Sequence, residues 1–186
     1  MNATDLTRMT DVFARGRIRP EQPGEADAIR RIHDAAFAGP IEGRIVDDLR
    51  DSEWSIEGGS LVGLDDHGQL VGHVLLSRGD LVGAEGRTRA IGVIGPVGVL
   101  PHRQGRGIGV ALMRAAIEVA RQRNLPLVAL LGHATYYPRF GFEPARDLGV
   151  EPPRPWADES WLALRLPGWT PELRGTVHYP PAFPVD

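Results

Sequence analysis

The amino-acid sequence predicts a mixed α/β fold, and three stretches carry that prediction. Gly107 to Arg123 sets Ile108, Leu112, Ala115 and Val119 on one helical stripe, widened by Met113, Ala116 and Ala120, with Arg114, Glu118 and Arg121 opposite. Leu125 to Leu131 is almost continuously apolar, the pattern of a strand covered on both faces. A strand from about Arg89 to Leu100 precedes the helix, so strand, helix and strand follow in the order of a right-handed parallel crossover. Upstream, Ser60 to Leu64 and Gln69 to Ser77 read as antiparallel strands joined by Asp65-Asp66-His67-Gly68, residues that suit a tight turn. The expectation is a mostly antiparallel sheet that contains one parallel pair.

The remaining elements follow from local pattern. Arg17-Ile18-Arg19 reads as a short first strand ended by Pro20. Glu25 to Phe37 has helical spacing at Ala28, Ile29, Ile32, Ala36 and Phe37. Gly39-Pro40 interrupts it, and Glu42 to Arg50 resumes a helix with Ile45, Val46 and Leu49 on one face. After Tyr136 the chain turns proline-rich, with one further strand at Trp161 to Leu166. The stretch Tyr179-Pro180-Pro181-Ala182-Phe183-Pro184 is too rigid and aromatic for a linker and is read as an ordered tail. Residues 1–15 lack the apolar core of a secretory signal and are expected to be disordered, leaving residues 16–186 as a single domain.

Composition narrows the function classes. A chain of 186 residues buries roughly two-thirds of its unfolded surface, enough for a real core. A net charge of −3 argues against a general nucleic-acid binder. The absence of cysteine excludes disulfides, thiolate metal sites and a cysteine nucleophile, and fits a reducing, cytoplasmic setting. No apolar run approaches the roughly 18 residues that span a bilayer. All 21 basic residues are arginine, so a catalytic lysine is excluded. The expected partners are therefore a small ligand and a monomer or homodimer contact, with neither nucleic acid nor membrane, and no metal is expected.

The chemistry concentrates at Gln104-Gly105-Arg106-Gly107-Ile108-Gly109, where the strand ending near Leu100 turns into the strongest helix. A diphosphate needs converging donors without side chains in the way. The unsatisfied N–H groups and positive dipole end of a glycine-opened helix supply them. Arg103 and Arg106 add positive charge beside the turn. An ordinary glycine-rich strand-to-helix connection is the alternative reading. Two other phosphate motifs do not fit. The Walker pattern needs a lysine, and the dinucleotide fingerprint needs GxGxxG after the first strand of a parallel unit. Just upstream, Gly95-Pro96-Val97-Gly98-Val99 puts a proline and two glycines into an apolar strand, which marks a bulge or a close backbone approach. The strand should bend away from its parallel neighbour there and leave backbone groups at Val97 to Val99 for an extended ligand.

Val97-Gly98-Val99 followed by Gln104-Gly105-Arg106-Gly107-Ile108-Gly109 resembles the coenzyme A signature of the GNAT acetyltransferase superfamily, Q/R-x-x-G-x-G/A. Tyr136-Tyr137-Pro138-Arg139-Phe140-Gly141-Phe142 resembles that superfamily's Tyr-x-x-x-Gly-Phe segment. The double tyrosine, the Leu162-Ala163-Leu164 strand ending in Leu166-Pro167-Gly168, and the Tyr179 to Phe183 tail are similar to its YhbS-like branch. The resemblance spans roughly residues 16 to 184. It implies helices on both faces of the sheet and a central parallel pair splayed by the bulge, with pantetheine entering between the two strands. It further implies acetyl-CoA as co-substrate, with Val97 and Val99 bonding the pantetheine amides and Gly98 between them. N–H groups from Gly105 through Arg106, Gly107, Ile108, Gly109 and Val110 would hold the pyrophosphate, beside Gln104.

On the same resemblance an acceptor amine of a small molecule or peptide attacks the thioester directly, and Val97 N–H polarises its carbonyl. Tyr137 falls on the tyrosine that often protonates the departing thiolate; packing against the sulfur is its alternative role. The usual base is missing, because the position four residues before Val97 is Val93 rather than the glutamate that some members carry. His133, four residues before Tyr137, is a candidate base or substrate contact, and equally a loop cap. Glu42 opens the helix that often borders the acceptor cleft, or is simply a solvated helix N-terminus. His73, inside a strand, is read as a satisfied histidine, and the four tryptophans as packing. Two functions compete: an N-acetyltransferase, and an acyl-CoA-binding sensor that has lost transfer chemistry.

Overall fold

The computed structural model describes residues 18–184, so the expectations for residues 1–15 and for Arg17 lie outside the described residues. The described residues form strands β1 (Ile18–Pro20), β2 (Ser55–Leu64), β3 (Leu70–Val82), β4 (Thr88–Val99), β5 (Leu127–Leu131), β6 (Glu143–Pro144), β7 (Val150–Glu151), β8 (Trp161–Arg165) and β9 (Gly175–His178). The helices are α1 (Ala26–Phe37), α2 (Ile41–Arg50) and α3 (Ile108–Gln122). Hydrogen-bonded neighbours run β1-β2-β3-β4-β5-β8-β6, with β9 joining β3 and β7. The sheet is mixed, as the sequence predicts, with β4 and β5 parallel. Two compact units divide the chain. One holds the described residues through Leu75 with Pro96–Val119; the other holds Leu76–Gly95 with the described residues from Ala120 onward.

In the first unit, β1 pairs antiparallel with β2, Ile18 opposite Gly63 and Pro20 opposite Leu61. Pro20 is the last residue of β1, so the strand ends where the sequence predicts. An outer strand tolerates the proline because one edge needs no N–H donors. The β2–β3 turn is closed by Asp65 N–H to Gln69 O at 2.9 Å, and by the Asp65 carboxylate accepting the N–H groups of His67 and Gln69. Ile29, Ile32, Ile45, Val46 and Leu49 of α1 and α2 are buried, as their spacing predicts, whereas Phe37 at the last turn of α1 is exposed, and a left-handed residue at Ala38 (φ 54) ends the helix. Along α3, Leu112, Met113, Ala115, Ala116 and Val119 are buried, while Arg114 is exposed. The first turn of α3 lies close over β2 and β3. A Cβ on Gly63 or Gly72 would meet Ile108 Cγ2 at 3.0 Å.

In the second unit, Leu127 to Leu130 are buried at four consecutive positions of β5. Leu127 and Ala129 join Leu81, Ile91, Trp161, Ala163 and Val177 in one core, and the Trp161 indole N–H donates to Val150 O at 2.9 Å. Antiparallel β8 pairs the full length of β5, from Leu127 opposite Arg165 to Leu131 opposite Trp161. The strand β9 was not foreseen. It pairs Thr176 to His178 with Val82 to Asp80, and so carries β3 five residues beyond Ser77, through a polar stretch whose Arg78 and Asp80 pair along the exposed side.

Candidate functional site

Within the first unit, a short 3-10 turn at Pro101–Arg103 leads from β4 into the glycine segment. The Gln104 amide reaches back to Val99 O at 3.0 Å, which ties the start of the turn to the end of the strand. Gly105 (φ 74) and Gly107 (φ 81) both lie in the left-handed region, and a Cβ at either would meet no atom within 4 Å. Glycine is needed at both positions for backbone conformation, and the space beside each stays open. The first backbone bond of α3 runs from Ala111 N–H to Gly107 O at 3.0 Å. The N–H groups of Ile108, Gly109 and Val110 precede it and have no carbonyl within the helix to bond. The segment can thus accept phosphate oxygens on backbone donors at the positive end of a 15-residue helix. Arg106 is exposed beside it, whereas Arg103 gives its charge to Asp65 at 2.7 Å and serves the hairpin instead.

Val97 and Val99 are half-buried on β4. Gly98 between them has a reason that the sequence did not disclose. A Cβ there would stand 2.8 Å from His33 Nδ1 and 3.1 Å from Cε1, so the strand passes against an imidazole of α1. His33 and His73 are both fully buried and bond Nε2 to Nδ1 at 2.8 Å. From His73 Nε2 the chain of contacts continues to Ser60 Oγ at 2.9 Å, from Ser60 Oγ–H to Glu21, and from Arg50 to Glu21 (2.8 Å) and Asp47 (2.6 Å). One proton order satisfies the chain: Ser60 donates to the carboxylate, His73 Nε2–H to Ser60, and His33 Nε2–H to His73 Nδ1. His33 Nδ1 is then left as a buried acceptor without a partner, facing Gly98. Burial lowers the His33 pKa to about 4, against a smaller raising effect of Asp47, and burial holds that of His73 well below its ordinary value, helped by His33 and Arg50. Both rings are neutral near pH 7. Glu42 stands in the first turn of α2 and is half-buried.

Within the second unit, the register of β4 with β5 comprises Gly92 opposite Val128 and Val93 opposite Ala129. Leu130 and Leu131 continue their pairing with β8 alone, so the parallel ladder stops before Gly95, whose φ of 151 marks the bulge. Val93 is buried and would crowd a Cβ on Gly79 at 2.7 Å. His133 is exposed, and its carbonyl accepts the Tyr136 N–H at 3.0 Å. Tyr137 opens a 3-10 turn through Phe140, ended by Gly141 at φ 90. Its ring stands edge-on to Tyr136 (5.1 Å between centroids) and to Phe142 (5.9 Å). Burial, with a smaller contribution from Tyr136, raises the Tyr137 pKa above its ordinary value, so the hydroxyl keeps its proton throughout the neutral range. The Arg139 guanidinium lies over the Tyr136 ring at 4.6 Å. Tyr179 packs against Trp156, Trp161 and Phe183, the last at 5.0 Å.

Glycine-opened helix, bulged central strand and Tyr-x-x-x-Gly-Phe turn are the parts of a GNAT acetyltransferase. Residues 17–145 match the Acetyltransferase (GNAT) domain family, and the chain belongs to that family. It lies in the YhbS-like branch. It is 35% identical over 157 residues to the uncharacterized N-acetyltransferase YjhQ of Escherichia coli K12, covering 82% of this chain and 86% of that one. It is 31% identical over 149 residues to the uncharacterized N-acetyltransferase YhbS of the same strain, covering 80% and 86%. Among solved structures, the fold is similar to Escherichia coli YhbS in complex with CoA, with a TM-score of 0.78, 26% identity and 89% of each chain covered. It is also similar to a GNAT family acetyltransferase of Brucella melitensis in complex with acetyl-CoA, with a TM-score of 0.71, 33% identity, and 89% and 96% covered. Among the described residues no helix is long and apolar enough to cross a membrane, and no group of three or more His, Asp or Glu side chains could hold a metal ion.

Proposed function

We propose that this protein is an N-acetyltransferase that moves an acetyl group from acetyl-CoA to a primary amine of a small molecule or peptide by direct attack. The observation that carries the proposal is the turn at Gly105–Gly109. Two left-handed glycines with open space beside them precede the first turn of α3, whose leading N–H groups have no carbonyl within the helix to bond. On this reading the N–H groups from Gly105 to Val110 hold the pyrophosphate, with Arg106 adding charge and Gln104 bracing the turn on Val99. The backbone of Val97 and Val99 holds the pantetheine, past the point where the parallel ladder has stopped. Acetyl-CoA when bound supplies the acetyl group as a thioester, and transfer forms the amide C–N bond while releasing a free thiol.

Tyr137 holds at its hydroxyl the proton that the departing sulfur requires, and burial, which raises its pKa, keeps that proton in place until the thiolate forms. His133, exposed in the preceding loop, takes the proton that the acceptor ammonium must lose. Glu42 is proposed to contact the acceptor. The protein is proposed to act in the cytoplasm, as a monomer or homodimer.

A second reading, an acyl-CoA sensor without transfer chemistry, is favoured by Val93. It puts a buried valine where some members carry a glutamate base. Thiol release from acetyl-CoA across a panel of amines, run beside calorimetry with CoA, separates the two. Turnover with any primary amine supports the transferase, and tight CoA binding without turnover on the whole panel overturns it in favour of the sensor.

A further inference from the structure

The end of β5 holds a glycine whose role neither turn geometry nor phosphate binding explains. Gly132 follows Leu131 directly and donates its N–H to Ser160 O at 2.9 Å, so its backbone is fixed against the residue that leads into β8. Its φ is not among the positive values of this chain, and its conformation is therefore open to any L-residue. What forbids a side chain is the loop that returns over it. The chain runs from His133 through Tyr136, closes with Tyr136 N–H to His133 O, and lays the Tyr137 ring where the Gly132 side chain would be. A Cβ on Gly132 would stand 2.1 Å from Tyr137 Cε2 and 2.9 Å from both Cδ2 and Cζ. Cζ is the carbon that bears the hydroxyl. A rigid ring cannot yield at its tip as a flexible chain would; it must swing as a whole about χ1. Tyr136 and Phe142 close two further sides of the ring, at 5.1 and 5.9 Å.

We propose that Gly132 is a positioning residue for acetyl transfer: by carrying no side chain it seats the Tyr137 ring and fixes the place at which the Tyr137 hydroxyl delivers its proton. This rests on the reading of Tyr137 as general acid. The chain's own atoms form the seat, so the ring has little freedom left to lose in the reaction. The raised Tyr137 pKa is the electrostatic counterpart of the same enclosure.

The test compares Gly132→Ala, Tyr137→Phe and the double variant, with kcat and KM for the amine found above, CoA affinity by calorimetry, and NMR of protein carrying 13Cζ-tyrosine. The chain has only three tyrosines, so the Tyr137 signal can be assigned. Gly132→Ala should lower kcat by the same factor as Tyr137→Phe, about 10² for a lost general acid. It should leave CoA affinity unchanged and move the Tyr137 titration back toward the ordinary tyrosine value. The double variant should be no slower than Tyr137→Phe alone, since both changes remove one function. A loss in Tyr137→Phe beside unaltered turnover in Gly132→Ala would overturn the proposal alone, as would a double variant whose loss is the product of the single losses. Full turnover in Tyr137→Phe would overturn the general-acid reading and this proposal with it. Independent of whether Gly132→Ala folds, the unmodified protein free of CoA should show a nuclear Overhauser contact between Gly132 Hα and the Tyr137 ring protons. Its absence would also overturn the seat.

Discussion

Between pH 7.5 and pH 5 the His33–His73 pair should make this protein acid-sensitive. The folded chain keeps His33 neutral down to about 4, whereas an unfolded histidine titrates at 6.5. Between those values the unfolded chain binds a proton that the folded chain refuses, so stability is complete above 6.5 and is lost as pH falls toward 4. For His33 alone the loss at pH 5 is about 2 kcal/mol. That corresponds to a fall of about 4–8 °C in melting temperature for a chain of this size. His73 acts in the same direction, since burial lowers its pKa as well. The groups facing the pair are Asp47, Arg50, Ser60, Phe37 and the Gly98 backbone. Asp47 opposes the shift of His33, and Arg50 reinforces that of His73. Urea unfolding at both pH values, on the natural chain and on His33→Leu, measures the effect. The variant loses stability at pH 7.5 through the unbonded His73 Nδ1, yet its change between the two pH values should be smaller by about 2 kcal/mol. Equal pH dependence of the two proteins would refute a neutral buried His33.

Three further outcomes follow from particular contacts. Gly107→Val forces a β-branched residue to φ 81, and should cost about 1–2 kcal/mol of stability while abolishing CoA binding; calorimetry with undiminished affinity would remove the phosphate site from this turn. Tyr137→Phe should lower kcat by about two orders of magnitude, with CoA affinity and melting temperature almost unchanged, because only a hydroxyl is lost; single-turnover thiol release reads it directly. Gly98→Ala pushes a methyl to 2.8 Å from the His33 ring and should destabilise by about 1–3 kcal/mol. Combining it with His33→Ala should recover part of that loss in a double-mutant cycle, and independent, additive losses would show that Gly98 answers to something other than His33.

Local regularities were legible in the chain. The apolar stripe of α3 and the continuous apolar run of β5 identified a helix and a doubly covered strand, because periodicity records which side of an element meets the core. The Asp65–Gly68 turn and the glycines ahead of α3 were legible for a related reason: backbone conformations with positive φ admit few residue types. Polar stretches misled. Arg78-Gly79-Asp80 reads as the end of a strand, yet β3 continues to Val82 because β9, nearly a hundred residues later, supplies its hydrogen-bond partners.

From residue order alone came the helices, most strands, the parallel crossover and the family, all of which rest on spacings within a few turns of chain. Tertiary structure decided why particular residues stand where they do. Gly98 resembles a residue that lets a ligand approach, and proves to be the floor beneath His33. His33 and His73, forty residues apart, carry no mutual signal, although each ring is the other's hydrogen-bond partner. Nothing in the residue order singles out Gly132, whose side-chain volume Tyr137 returns to occupy. Such contacts join groups distant in sequence through excluded volume and single hydrogen bonds. Those forces leave no periodic trace along the chain and act only once the fold has brought the groups within about 4 Å.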